Sequence, residues 1–367
     1  MMEFIFSVLL LSGIAAGLAM ILVISEKVIQ NYGPCKITLN RGKKELTVEG
    51  GKPLLTTLKE QKIFLPSACG GRGTCGVCKC KVLEGGGPLL PTETPYIGEK
   101  ERKEGVRLAC QVKVRNDMAI EIPAFLFAIQ QYQAKLAAVE DLTYDMKRFR
   151  FELLGPDTMD FIAGQYVQIT CPAYKSGVDE VSRAYSIASD PKDNHFVELI
   201  VRRVPNGICT TWLFDYLKVG QPVQLTGPYG EFRMSDTQAP MIFIAGGSGM
   251  APFVSILHQM RHTGSTRKAD FYFGGNSVRD LCLQQQMAEF EKMIPSFTFV
   301  PVVARPQPED HWVGQTGLVT EAVQRQYSDL SGHEGYLCGS PGMIDASIKV
   351  LVGLGMPQDK VYYDKFA

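Results

Sequence analysis

Residues 69–80 read Cys-Gly-Gly-Arg-Gly-Thr-Cys-Gly-Val-Cys-Lys-Cys, and a further cysteine, Cys110, lies downstream. Cys69, Cys75 and Cys78 fall on a C-x5-C-x2-C pattern, with Cys80 two positions later. Glycine between them permits the tight curl that turns several sulfurs toward one point. A C-x4-C-x2-C run with a remote fourth cysteine is a spacing that holds a 2Fe–2S cluster. The first gap here is one residue longer. A one-electron centre constrains everything else in the chain, because something must feed it and something must drain it.

With 367 residues the chain has room for two or three domains with real cores. Its ten cysteines do not describe a disulfide scaffold: such scaffolds are small, and here the cysteines crowd into one glycine-rich loop and its sequel. Lys+Arg and Asp+Glu balance at 38 each, which argues against nucleic acid as a partner. Residues 4–24 carry no charge and are rich in Leu, Ile, Val and Ala. As a helix rising ~1.5 Å per residue they are long enough to cross a bilayer core. A cleaved signal would start with a positive segment and have a shorter apolar core, whereas this chain starts Met-Met-Glu. Lys27, Lys36, Arg41, Lys43 and Lys44 follow the run and Glu3 precedes it, so the positive-inside bias puts the bulk of the chain in the cytoplasm.

Three textures follow. Residues 36–48 predict two strands about the turn at Asn40-Arg41-Gly42, and residues 53–61 a helix with Leu54, Leu55 and Leu58 on one face. After the cysteine loop come a strand at 79–83, a Gly/Pro-rich loop at 85–95, and a closing hairpin of 107–114 with 118–122. From Tyr132 the pattern becomes period two, with strands at 135–140, 148–153, 165–170, 184–187, 196–203 and 222–225 and one helix at 209–217; these predict an antiparallel barrel. Beyond Pro240, apolar runs at 241–245, 270–273, 297–303 and 335–338 alternate with helices, which predicts a parallel sheet covered on both faces.

The turn Ala245-Gly-Gly-Ser-Gly-Met-Ala-Pro252 lies between the first strand of that sheet and its helix. Glycine there lets a pyrophosphate approach the backbone, and the helix start offers oriented N–H groups. It does not match G-x-G-x-x-G, which disfavours an ordinary dinucleotide-binding dehydrogenase. In the barrel, Arg183-Ala184-Tyr185-Ser186 combines a cation, an aromatic ring and a hydroxyl on one strand. The five histidines read as surface or structural residues with no pair at ligand spacing, and Cys35, Cys171 and Cys282 as packing residues.

Arg183-x-Tyr185-Ser186, Gly207-Ile-Cys209-Thr210, Gly227-Pro-Tyr-Gly230, the 246–252 turn and Cys338-Gly339 together resemble the ferredoxin–NADP reductase superfamily. With the N-terminal cysteine-loop domain, the apolar run, residues 306–317 and the terminal Tyr363-Asp-Lys-Phe366-Ala, the chain is similar to the family of F subunits of sodium-pumping NADH:quinone oxidoreductases. That resemblance implies a multidomain fold: a transmembrane anchor (1–30), an α+β ferredoxin-like β-grasp domain (31–128), an antiparallel β-barrel FAD domain (129–236) and an α/β NADH domain (237–367). It implies Cys69, Cys75, Cys78 and Cys110 as cluster ligands, with Cys80 a strand residue. It implies Arg183 at the FAD pyrophosphate, Ala184 and Tyr185 along the flavin ring and Ser186 near N5. Ile200, Val201, Gly207, Cys209 and Thr210 complete that site, and Phe366 covers the face where nicotinamide enters. Gly246, Gly247, Gly249, Cys338 and Gly339 line the NADH site, with Ser186, Tyr185, Phe366 and Cys338 nearest the chemistry. The implied activity is NADH oxidation on FAD with single electrons passed through the cluster to integral membrane redox subunits at a bacterial inner membrane. Sodium transport and ubiquinone belong to the implied complex.

NADH is favoured over NADPH because Gly274-Gly-Asn-Ser277 lacks an arginine where a 2′-phosphate would be met, with Arg279 close by. Short segments at 172–183 and 203–207 also resemble soluble reductases that feed ring-hydroxylating oxygenases. They give the second reading, an NADH-dependent reductase component for an oxygenase or other acceptor.

Overall fold

The computed structural model describes residues 2–29 and 32–366, with side chains in the first helix at 4, 6 and 9–21. That helix, α1, runs Met2–Ile29, and its described large apolar side chains are exposed, Phe4 at 74% and Leu11 at 68%. Within the expected membrane run, the side chains at 5, 7, 8 and 22–24 lie outside the described residues. Among the described residues no helix is long and apolar enough to cross a membrane.

The chain divides into two compact units, Met1–Ser67 with Gly71–Ala128, and Ala68–Gly70 with Ile129–Ala367. In the first unit, β1 (Pro34–Leu39), β2 (Lys44–Glu49), β3 (Lys79–Glu84), β4 (Val106–Leu108) and β5 (Met118–Glu121) form a sheet of order β2-β1-β5-β3-β4. Helix α2 (Leu54–Glu60) buries Leu54 and Leu58 completely, as its spacing predicts. The expected hairpin of 107–114 with 118–122 does not form. β5 sits centrally, parallel to β1 and antiparallel to β3, while β4 pairs with β3. The chain between β4 and β5 is used elsewhere: Leu54 N donates to Val112 O (2.7 Å) and Val114 N to Lys52 O (3.0 Å). A short helix α3 (Glu99–Lys103) was not anticipated, since Glu-Lys-Glu-Arg-Lys has no apolar period; Glu101 supports it by accepting from Gly98 N (3.0 Å) and Lys79 Nζ (2.7 Å).

The second unit opens with an antiparallel sheet of β6 (Gln130–Asp141), β7 (Met146–Gly155), β8 (Tyr166–Cys171), β9 (Val181–Ser186), β10 (Phe196–Arg202) and β11 (Pro222–Tyr229). Its order is β10-β7-β6-β11-β8-β9. An antiparallel bridge between Ile187 and Leu199 joins the two ends, so the sheet curls into the expected barrel. The expected helix at 209–217 is one α-turn, α4 (Ile208–Thr211), followed by a π-helical turn at Trp212–Tyr216.

The parallel sheet comprises β12 (Met241–Gly246), β13 (Ala269–Gly275), β14 (Phe297–Val303), β15 (Gln315–Thr316), β16 (Glu334–Gly339) and β17 (Val361–Lys365), in the order β15-β14-β13-β12-β16-β17. Alternate residues of β12 serve opposite cores. Phe243 and Ala245 pack with α5 (Ala251–Thr263) and α6 (Gln284–Met293); Ile242 and Ile244 pack with α7 (Val319–Gln326) and α8 (Pro341–Gly353). Helix α7 and the edge strands β15 and β17 were not anticipated: each is short, and two residues of strand carry no readable period.

The linker entering this sheet is held by a buried charge. Glu334, 1% exposed, accepts from Arg267 Nη2 (2.6 Å), Tyr336 Oη (2.8 Å) and Thr237 Oγ1 (3.0 Å). Burial alone would raise its pKa, but these bonds and one from Ser235 hold it at about 2, against an ordinary 4.5. A depressed carboxylate stabilises the fold above its unfolded pKa and loses that stabilisation as pH falls through the folded value. We therefore expect the second unit to lose stability between about pH 4.5 and 2. Arg267→Met, which leaves the buried Glu334 with only the half-exposed Lys360 ammonium at 3.5 Å, should cost about 3–5 kcal/mol in denaturant unfolding. A cost below about 1 kcal/mol would show that the network does not hold the linker.

Candidate active site and cluster loop

In the first unit the cysteine loop runs between the buried Leu65 and strand β3. Cys78 is 1% exposed and Cys110 7%. Their thiols hydrogen-bond to one another, which with burial raises the Cys78 pKa, and Cys75 lies within electrostatic range. Ala109 N donates to Cys78 O (2.9 Å), tying the turn that carries Cys110 to the loop. Cys69 groups with the second unit. Cys80 is buried in β3, and burial pushes its thiol up to about 12, the behaviour of a packing residue. Among the described residues no three His, Cys, Asp or Glu side chains gather around one ion. A 2Fe–2S centre asks instead for thiolates divided between two irons. The apposed Cys78 and Cys110 thiols fit that demand.

A buried ion pair that sequence reading missed fastens the 86–93 segment to β4. Glu93 is fully buried and accepts Arg107 Nε (2.9 Å) and Nη2 (2.6 Å), as well as Leu108 N (2.9 Å) and Leu90 N (2.9 Å). Arg107 also donates to the carbonyls of Gly86, Gly87 and Pro88, all at 2.9 Å. Both charges are thus paired and fully hydrogen-bonded, the condition under which burial is tolerated.

In the second unit β9 forms a ladder only with β8 among the described residues; its other edge meets Leu199 at Ile187 and Gly70 at Ser182. Arg183 Nη1 donates to Ser182 O (2.8 Å). Tyr185 bonds to the sulfur of Cys209, which in turn bonds Cys171, so these cysteines support the ring from inside the barrel. Ser186 Oγ is buried and lacks a well-formed hydrogen-bond partner. An orphaned buried hydroxyl calls for an explanation. Ile200 and Val201 are buried in neighbouring β10. Thr210 Oγ1 accepts from Val204 N (3.2 Å) and donates to the Gly207 carbonyl (3.3 Å), fixing the local turn.

The glycine-rich turn forms as expected between β12 and α5, with Pro252 in the first helical turn. A Cβ at Gly249 would lie 2.2 Å from Cys338 O, so only glycine allows the turn to pack on the end of β16. Gly246 and Gly339 meet at the C-terminal ends of these adjacent parallel strands, where open α/β sheets bind ligands. Arg202, at the end of β10, lies against Gly247 and donates from Nε to Asp145 (2.6 Å). Phe366 N donates to Gly339 O (2.9 Å), which fixes the terminal aromatic at the same place.

The register of β17 on β16 sets Asp364 beside Cys338, and Asp364 also interacts with Ser186. Burial raises the Asp364 carboxyl to about 6. Burial, with Asp364 second, also raises the Cys338 thiol, so it stays protonated at neutral pH. Ser186, Cys338, Asp364 and Phe366 thus come together, and Asp364 is the member that sequence reading did not name. Its only signal was the alternation of Val-Tyr-Tyr-Asp-Lys at the chain end. On α5 the histidine reading needs correction on spacing alone: His258 and His262 are one turn apart and both approach Asp190, His262 Nε2 at 2.7 Å. Arg261 Nη2 meets the same carboxylate (2.9 Å), so the two histidines gather around an Arg261–Asp190 ion pair, the structural role expected of them.

Three family models match the chain in series. They are a 2Fe-2S iron-sulfur cluster binding domain over residues 37–115, an oxidoreductase FAD-binding domain over 133–234 and an oxidoreductase NAD-binding domain over 243–349. Among solved structures, an Amycolatopsis cytochrome P450 reductase, GcoB, superposes with a TM-score of 0.73 at 30% identity, covering 90% of this chain and 98% of that one. A ferredoxin reductase in carbazole 1,9a-dioxygenase gives 0.70 at 27%, covering 91% and 99%. These matches describe an NADH-driven electron-transfer reductase with FAD and a 2Fe–2S cluster. The F subunit of the Na(+)-translocating NADH-quinone reductase of Pseudomonas paraeruginosa is 35% identical over 405 aligned residues, covering 99% of this chain and 98% of the relative. Its counterpart in Neisseria meningitidis serogroup C is 35% identical over 407, covering both chains in full. At this identity and coverage the chain belongs to the family of F subunits of Na(+)-translocating NADH-quinone reductases.

Proposed function

We propose that the chain is the NADH-oxidising subunit of a membrane complex and that the residues gathered above do its chemistry. When bound, FAD supplies the exchange between a hydride and single electrons, and the 2Fe–2S cluster carries electrons singly. Strand β9 holds the flavin, with Arg183 at its pyrophosphate and Ala184 and Tyr185 along its ring. Ile200, Val201 and the Gly207–Thr210 turn, including Cys209, form the surrounding wall. The observation that carries the proposal is Ser186 Oγ, buried with no well-formed hydrogen bond and with only the Asp364 carboxyl near it, so that it would be free to donate to a bound flavin ring.

The NADH pyrophosphate meets the turn containing Gly246, Gly247 and Gly249, the start of α5 and the Arg202 guanidinium. The neutral Cys338 thiol and Gly339 wall the nicotinamide, and Phe366 excludes water where it enters. Asp280 favours NADH. Burial would raise its pKa, but bonds from Ser277 and Tyr144 hold it ionised, so a 2′-phosphate near this loop meets a negative charge. Arg279 is occupied, stacked 4.1 Å over the Tyr144 ring. Cys69, Cys75, Cys78 and Cys110 are the cluster ligands.

Helix α1 is the anchor. Its exposed Phe4, Leu9, Leu11, Met20 and Ile21 call for an apolar surround, and the uncharged run 4–24 would span ~31 Å at ~1.5 Å per residue. Lys27, Lys36 and Arg41 on its far side place the remainder on the cytoplasmic face of a bacterial inner membrane. Integral membrane redox subunits then accept the electrons, with quinone reduction and sodium transport carried by the complex. The likeness to a cytochrome P450 reductase and a dioxygenase's ferredoxin reductase supports the second reading, a reductase serving an oxygenase. Purification from native membrane separates the two by what accompanies the chain.

Ser186→Ala should retain FAD yet slow flavin bleaching by NADH about 10-fold in anaerobic rapid mixing, the effect of losing one hydrogen bond to a developing charge. An unchanged rate would remove Ser186 from the reacting centre. Deleting residues 1–26 should give a soluble protein that still reduces artificial acceptors with NADH. Loss of that activity would mean the helix does more than tether.

A further inference from the structure

Gln111 follows the proposed ligand Cys110 and lies over the cysteine loop: a Cβ on Gly73 would come 2.6 Å from Gln111 Nε2. That nitrogen donates to Cys110 Sγ at 3.5 Å. At the other end of the amide, Thr92 Oγ1 donates to Gln111 Oε1 at 2.8 Å. The chemistry of the partners fixes which way the amide points. A ligating thiolate only accepts hydrogen bonds, so it takes the N–H end and leaves the carbonyl for the hydroxyl.

Neither contact rests on a floppy partner. Thr92 precedes the buried Glu93, which binds Arg107 and Leu108 N, and Gln111 N in turn donates to Leu108 O (2.8 Å). Thr92 and Gln111 are thus fastened to the same short strand, β4, from opposite sides. Cys110 is 7% exposed, so a hydrogen bond to its sulfur is little diluted by water.

We propose that Gln111 is a tuning residue of the one-electron centre: its amide N–H, oriented by Thr92, stabilises the extra negative charge that reduction places on the Cys110 sulfur. Hydrogen bonds to ligand sulfur are one of the levers by which a protein sets cluster potential. A donor aimed at the sulfur favours the more negative, reduced state and therefore raises the potential. This rests on the assignment of Cys110 as a ligand.

The test is an EPR-monitored redox titration of the full chain in detergent, with iron content measured on each sample. The wild type should show one iron–sulfur signal on reduction; its absence would overturn the ligand assignment itself and this inference with it. Gln111→Leu, loaded to wild-type iron content, should titrate at a more negative potential. Thr92→Val should shift it the same way by less, and Thr92→Ser should restore the wild-type value. A potential unchanged in loaded Gln111→Leu would overturn the tuning role. If Gln111→Leu fails to load, an unchanged potential in Thr92→Val overturns it equally.

Discussion

The crossing of the Gly246–Gly249 turn over the end of β16 is the contact on which the reductase unit depends. With Gly249 against the Cys338 carbonyl, the glycine turn, the Cys338-Gly339 bend and the chain end on β17 converge at one sheet edge. None of these segments makes a site alone. The turn offers N–H groups for a pyrophosphate, β16 a protonated thiol, and β17 a carboxyl and an aromatic; the barrel adds Ser186 from the end of β9. Parallel pairing sets each member to within a residue, because a slip of one would turn Asp364 away from Cys338.

Burial sets the electrostatics in two opposite ways. At the proposed reacting centre it outweighs the one bond from Ser186, so Cys338 and Asp364 hold their protons more tightly than in water. At the supports it is fully compensated: Glu93 with Arg107 and Glu334 with Arg267 keep their charges and fasten a loop and a linker. A protonated Cys338 thiol suits hydride transfer, which needs no general acid or base. Stiff charged staples suit a loop and a linker that must keep their shape.

The sequence made the chemistry legible where chemistry dictates spacing. The cysteine run, Arg183-x-Tyr185-Ser186 and the 245–252 turn fall on the elements expected of them, and the alternation of apolar runs and helices forecast the parallel sheet. What escaped was decided by long-range pairing. Strand β5 moves to the centre of its sheet because 112–114 is claimed by residues 52–54, a competition no local period records. Asp364 gains meaning only through its register against Cys338, and Glu93 only because Arg107 crosses to it from another segment. Gln111 and Thr92 are ordinary polar residues until the fold stacks them beside one sulfur.

The central claim is that one chain takes a hydride at the Ser186–Cys338–Asp364 centre and releases single electrons at the cysteine loop. Anaerobic titration of the purified protein with NADH as the only reductant, read by optical absorbance and EPR together, tests it directly. The account predicts that flavin absorbance bleaches and that the reduced iron–sulfur signal grows in the same titration. Bleaching of the flavin with a cluster that stays EPR-silent, while dithionite reduces it readily, would contradict the account.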